Sequence, residues 1–125
     1  MIVELSRSIT FEAAHFLPLV PEGHKCRNLH GHTYRLTVWI RGPVKADGFV
    51  LDSAILDDAL KVIRGALDHK CLNDLEYLGK NPTAENLLGW IYKAFLLTTK
   101  VDALLDRVEL QEGANGVFIY RGKQR

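Results

Sequence analysis

From Val3 to His15 apolar and polar residues alternate: Val3, Leu5, Ile9, Phe11, Ala13 and His15 occupy one parity, and Glu4, Ser6, Ser8, Thr10 and Glu12 the other. Period-two alternation predicts a half-buried antiparallel strand. Arg7 interrupts the apolar set and predicts a bulge or bend. Thr33 to Arg41 alternates in the opposite parity, with Tyr34, Leu36, Val38 and Ile40 against Thr33, Arg35, Thr37 and Arg41. The intervening Leu17–Leu29 stretch, with Pro18, Pro21 and Gly23, reads as a long connection. After Gly42-Pro43 the period changes to that of a helix. Asp52 or Ser53 is its cap, and Leu56, Ala59, Leu60, Ile63, Ala66 and Leu67 form its stripe. Asn81-Pro82-Thr83-Ala84-Glu85 opens a second helix, with Thr83 as cap, Glu85 in the first turn and a stripe of Ala84, Leu87, Leu88, Ile91, Ala94 and Phe95. Two strands follow, roughly Leu104–Glu112 and Val117–Arg121, joined by the hairpin-forming Gly113-Ala114-Asn115-Gly116. In the third strand Leu104, Val108, Leu110 and Glu112 share a parity. The order is ββααββ, an α+β fold with a four-stranded antiparallel sheet and two helices on one face.

The 125 residues suit a single domain over 1–125, and the 47% hydrophobic and 25% charged content is ordinary for a soluble globular chain. A net charge of +1 argues against nucleic acid as partner. The apolar runs fall short of the ~20 residues of a membrane span, and Met1-Ile2-Val3-Glu4 lacks a signal-peptide pattern. Two cysteines, Cys26 and Cys71, are too few for a disulfide scaffold and suit a reducing cytoplasm.

Register turns the histidines into a candidate metal site. His15 extends the apolar face of the first strand; His30 and His32, separated by Gly31, extend that of the second. Residues at i and i+2 of a strand point to one side, so pairing the strands brings three imidazoles together at one end of the sheet. Three nitrogen donors with an open fourth position are the arrangement of catalytic rather than structural zinc. Cys26 admits three readings: a fourth ligand, a reactive thiol activated by the metal and by Lys25 and Arg27, or an ordinary loop thiol. His24 has no strand register and reads as a solvated loop residue. Asp68-His69 at a helix end is either an acid–base pair or, the plainer reading, a histidine interacting with the helix dipole. Glu112, a carboxylate on an apolar parity, needs a partner. A structural salt bridge and a heterocycle offering two parallel N–H donors fit it equally. Cys71 reads as a free, half-buried thiol.

Phe11-Glu12-Ala13-Ala14-His15, Cys26-x-x-x-His30-Gly31-His32, Leu67-Asp68-His69, Pro82-Thr83-Ala84-Glu85 and Glu112 together resemble the 6-pyruvoyltetrahydropterin synthase family over essentially the whole chain. Pro21-Glu22-Gly23-His24-Lys25-Cys26, with three residues between Cys26 and His30, is most similar to its queuosine-pathway branch, the 6-carboxy-5,6,7,8-tetrahydropterin synthases. The resemblance implies a tunnelling fold, a homo-oligomer (commonly a hexamer) with sites at subunit interfaces, and Zn2+ on His15, His30 and His32. It implies Cys26 as proton acceptor, His69 backed by Asp68 as its helper, and Glu112 in the relay and as pterin anchor; the interfaces would bring Asp68, His69 and Glu112 near a neighbour's zinc. The implied reaction is that of a lyase acting on 7,8-dihydroneopterin triphosphate and releasing acetaldehyde and triphosphate, or, in the sister branch, a pyruvoyl-forming one. From another class, a structural zinc module with Cys26 as fourth ligand stands as the competing reading. Gly113, where the family often has threonine, and Cys71, where tyrosine is common, depart from the pattern.

Overall fold

The computed structural model describes residues 1–101 and 103–122. Strand β1 (Ile2–His15) pairs antiparallel with β2 (His30–Pro43) in an unbroken register from Ile2↔Pro43 to His15↔His30. Arg7 therefore marks no bulge. It lies opposite Val38 and reaches Asp57 at 3.3 Å, with both side chains substantially exposed. The long guanidinium stem lets a charge occupy an apolar parity, because its head escapes to solvent at the sheet margin.

Helix α1 (Ser53–Leu67) starts at Asp52, whose carboxylate accepts from the Ala54 N–H at 2.9 Å. It buries Leu56, Ala59, Leu60, Ile63 and Leu67, whereas Ala66 is half-buried. Helix α2 (Ala84–Thr99) is capped by Thr83, which accepts from the Asn86 N–H at 3.1 Å. Its Leu87, Leu88, Ile91 and Phe95 join the same core. Both helices cover the sheet face formed by Phe11, Ala13, Tyr34, Leu36, Val38 and Ile40.

The sheet has five strands rather than four, in the order β3-β1-β2-β4-β5. The extra strand, β3 (Lys70–Cys71), pairs parallel with Ala13 and Ala14 of β1. Two residues carry no readable alternation. They pair because His69 adopts a left-handed φ of 59°, turning the chain after α1 back along β1, with its N–H donating to the Glu12 carbonyl. Strand β4 (Leu105–Glu112) pairs with β2, and β5 (Val117–Tyr120) closes the other edge.

A register shift on β4 opposite Trp39/Ile40 changes the expected parity at its start. Leu105 lies opposite Ile40 and is buried, while Leu104 is only half-buried. The extra residue of a bulge flips the faces on one side of it. On the open face Arg107 stacks over Trp39 at 4.3 Å and binds Glu109 at 3.1 Å. That cation–π contact covers an indole that the alternation would otherwise leave to solvent. The hairpin after β4 explains Gly113: its φ of 54° is left-handed, and its N–H donates to the Thr33 carbonyl at 2.9 Å. Threonine there would meet the strain that β-branched side chains suffer at positive φ.

Leu36 is fully buried beneath both helices, so Leu36→Ala should lower the unfolding free energy by ~2–5 kcal/mol. Arg7→Ala, which breaks an exposed ion pair, should cost less than about 1 kcal/mol. Urea unfolding followed by circular dichroism measures both.

Candidate metal centre and adjoining cavities

The β1–β2 register sets His15 directly opposite His30, with His32 opposite Ala13. The three imidazoles stack edge-on, with centroids 4.6, 5.3 and 5.0 Å apart, and their ligand nitrogens all lie within 4.8 Å of one another. Two rings are oriented from behind. Nδ1 of His15 donates to the Pro82 carbonyl at 2.8 Å, and Nδ1 of His30 to the Asn28 carbonyl at 2.7 Å. A carbonyl only accepts, so each of these nitrogens carries the proton and each Nε2 keeps its lone pair.

His15 is 1% exposed, and its Nε2 is buried without a hydrogen-bond partner. Leaving such an atom unsatisfied costs about 1–3 kcal/mol. Burial, opposed by the Pro82 hydrogen bond, pushes the imidazole below its ordinary pKa and keeps it neutral. A desolvated neutral nitrogen aimed at two others fits a borderline-soft divalent ion, so these residues suit zinc.

Glu112 closes one side. Its carboxylate oxygens stand 4.0 Å from His15 Nε2 and 3.9 Å from His32 Nε2, and it accepts from the Tyr34 hydroxyl at 3.3 Å. Among the described residues no arginine or lysine is within ion-pair distance of Glu112. Burial, with this carboxylate beside it, pushes the Tyr34 phenol far above its ordinary pKa, so Tyr34 remains a donor. Alternation alone marked Tyr34 as core; its hydroxyl could only be assigned once β2 and β4 were in register.

His15, His30, His32, Cys26, Lys25, Leu17, Glu112 and Asn115 line one cavity of about 350 Å³. Cys26 is half-buried and free, and it stands outside the mutually close cluster of three imidazoles. His24, expected to be merely solvated, does more. Its Nδ1 accepts from the Cys26 N–H at 3.0 Å at the start of a 3₁₀ turn, Lys25–Arg27.

Asp68 and His69 lie elsewhere. Asp68 ends α1, accepts from the Glu12 N–H at 2.8 Å and holds His69 Nδ1 at 3.0 Å and Arg64 at 3.3 Å. The carboxylate, not the helix dipole, therefore orients this histidine, correcting the plainer expectation. Spacing could not reveal it, because the pairing depends on the positive φ of His69. His69 lines a second cavity, about 510 Å³, with Glu12, Thr33, Lys70 and Cys71, on the face away from the helices. Within one chain Cys26 and His69 thus open into different cavities, whereas Glu112 adjoins its own chain's imidazoles. Cys71 lies 4.0 Å from the Asn73 side-chain oxygen, a weak contact at most.

The Glu12 amide, more than the His69 and Arg64 contacts, holds the Asp68 carboxyl below its ordinary pKa. A depressed folded value stabilises the fold above the unfolded pKa, and the benefit is lost as pH falls through the lower folded value. Thermal melts should therefore show a shallower acid decline below about pH 4 for Asp68→Asn than for the parent. A parallel decline would remove Asp68 from that role.

The family model described as 6-pyruvoyl tetrahydropterin synthase matches residues 4–123. A 6-carboxy-5,6,7,8-tetrahydropterin synthase of Bacillus subtilis is 31% identical, covering 97% of this chain and 86% of that protein. A dihydroneopterin monophosphate aldolase of Pyrococcus furiosus is 34% identical over 83% and 84% of the two chains. The solved 6-pyruvoyl tetrahydropterin synthase of Caenorhabditis elegans superposes with a TM-score of 0.90 at 28% identity, covering 98% of this chain and 97% of that one. The fold is the tunnelling fold.

Proposed function

The chain belongs to the 6-pyruvoyl tetrahydropterin synthase family, and on that premise we propose that it is a zinc-dependent lyase of the 6-carboxytetrahydropterin branch. It would convert 7,8-dihydroneopterin triphosphate and one water to 6-carboxy-5,6,7,8-tetrahydropterin, releasing acetaldehyde and triphosphate, for 7-deazapurine (queuosine) synthesis in the cytoplasm. The observation that carries the reading is the three-imidazole cluster with a buried, unpartnered Nε2 and a thiol in the same cavity but outside the cluster. A closed structural site would need that sulfur as fourth donor.

His15, His30 and His32 would hold the zinc. When bound, it supplies Lewis acidity toward the hydroxyls of the substrate side chain and makes the adjacent C–H more acidic. Cys26, as thiolate, accepts that proton. Glu112 receives the pterin's 2-amino and N3 hydrogens on its two oxygens, an anchor that fixes the ring relative to Cys26. Tyr34, donating to Glu112 from within the core, holds the carboxylate in place. His69, its Nδ1 tied to Asp68, keeps Nε2 available to return a proton. Electrons from the side chain reduce the ring internally, so no external hydride donor is needed.

The separation of Cys26 and His69 into different cavities supports a homo-oligomer, a hexamer in this reading, in which one subunit's His69 serves another's Cys26. The sheet edges favour such assembly. Two-residue β3 leaves most of β1 unpaired on that side, and β5 exposes Val117 and Ile119. Among the described residues no helix is long and apolar enough to cross a membrane.

The sister reading, a 6-pyruvoyltetrahydropterin synthase, draws support from the Caenorhabditis elegans structure. Incubation with dihydroneopterin triphosphate and product analysis separates the two: acetaldehyde and carboxypterin are expected, and a retained three-carbon side chain would select the sister reaction. Cys26→Ala should keep its zinc, measured by elemental analysis, and lose at least about 100-fold in turnover. Zinc loss with unfolding would instead establish a structural module. Inactive Cys26→Ala and His69→Ala chains, co-refolded, should regain part of the activity if the two groups act between subunits; failure to complement would place both within one chain.

A further inference from the structure

His24 is the residue whose observed contact the chemistry above leaves unused. It caps the 3₁₀ turn Lys25–Arg27 with extended backbone (φ −69°, ψ 134°), and its Nδ1 accepts the Cys26 N–H at 3.0 Å. Accepting at Nδ1 places the ring proton on Nε2. The other backbone group of Cys26 is also engaged, since its carbonyl accepts from the Leu17 N–H at 2.8 Å. Cys26 is therefore pinned on both sides, once by main chain and once by a side chain.

The turn also reaches the metal ligands. The Asn28 N–H donates to the Lys25 carbonyl at 3.1 Å, and the Asn28 carbonyl accepts from His30 Nδ1 at 2.7 Å. One short segment thus carries both the thiol and the group that orients His30. The loop has anchors besides the imidazole. His24 N–H donates to the Pro21 carbonyl at 3.0 Å, and Arg27 Nη1 to the Val20 carbonyl at 3.1 Å. His24 is itself exposed, so the core does not depend on its ring.

From this geometry we infer that His24 is a positioning residue for Cys26: its imidazole serves as a hydrogen-bond acceptor that fixes the turn and so the direction from which the thiol enters the cavity. The inference rests on the reading of Cys26 as proton acceptor. It concerns the Nδ1 position alone, and it assigns His24 no contact with substrate or metal. A side chain that puts an acceptor where Nδ1 stands should replace it; one that puts the polar group where Nε2 stands should not.

The test uses the assembled, zinc-loaded protein, with Cys71→Ser in every sample so that Cys26 is the only thiol. His24→Ala should lower kcat about tenfold through misplacement of the thiol, with KM within about twofold and zinc content unchanged. His24→Asn, whose amide oxygen occupies the Nδ1 position, should restore most of kcat; His24→Gln should resemble His24→Ala. Iodoacetamide alkylation of Cys26 should change rate in His24→Ala and His24→Gln and return to the parental rate in His24→Asn. Parental kcat and alkylation in His24→Ala would overturn the inference, as would equal loss in His24→Asn and His24→Gln. If His24→Ala does not fold, the Asn–Gln contrast decides alone. Turnover surviving in Cys26→Ala would overturn the role of the thiol itself, while the alkylation rates would still report whether the cap positions it.

Discussion

The pairing of β1 with β2 is the interaction on which the rest depends. Its register runs without a break for the full length of both strands and ends on His15↔His30. One residue of slip would move every side chain of a strand to the other face. It would send His15 to the open side and bury Glu12 and Ala14 beneath the helices. The same pairing that seals Phe11 and Leu36 in the core therefore assembles the three imidazoles. The packed core and the three-imidazole cluster share one register.

At the end of that sheet face the core becomes polar, and each polar group there has a reason. Pro82, at the approach to α2, supplies the carbonyl that orients His15; Asn28, after the 3₁₀ turn, does the same for His30. Tyr34 continues the apolar face but turns its hydroxyl to Glu112. What remains unsatisfied is the Nε2 of His15, facing the other imidazoles. In a tightly packed interior such an orphan is expensive, and a bound metal ion is the partner that these three imidazoles could hold. Glu112 and Cys26 line the cavity into which the three imidazoles face.

Asp68 and His69 illustrate a different kind of construction. They belong to the connection between α1 and β3, and their geometry is held by the Glu12 amide and a left-handed turn. His69 lines the cavity on the far side of the sheet from the helices and Cys26 lines the other, with Gly31 and His32 bordering both. In the proposed reading a second subunit brings the two groups together.

Alternation and helical periodicity were enough to read four strands, two helices, their caps and the convergence of His15, His30 and His32, because each of these follows from side chains repeating at a fixed angle along a regular backbone. Glu112 was legible too, as a charge on an apolar parity, though not its neighbours. What alternation could not express was set by contacts between distant segments. The bulge that puts Leu105 in the core, the two-residue β3, the carbonyls behind His15 and His30, the hydroxyl of Tyr34 on Glu112 and the cap that His24 places over Cys26 all belong to irregular backbone or to pairs far apart in the chain. Periodicity determines which way a side chain faces; only the packed structure decides what it meets there, because hydrogen-bond partners are chosen by distance in space and not by position in sequence.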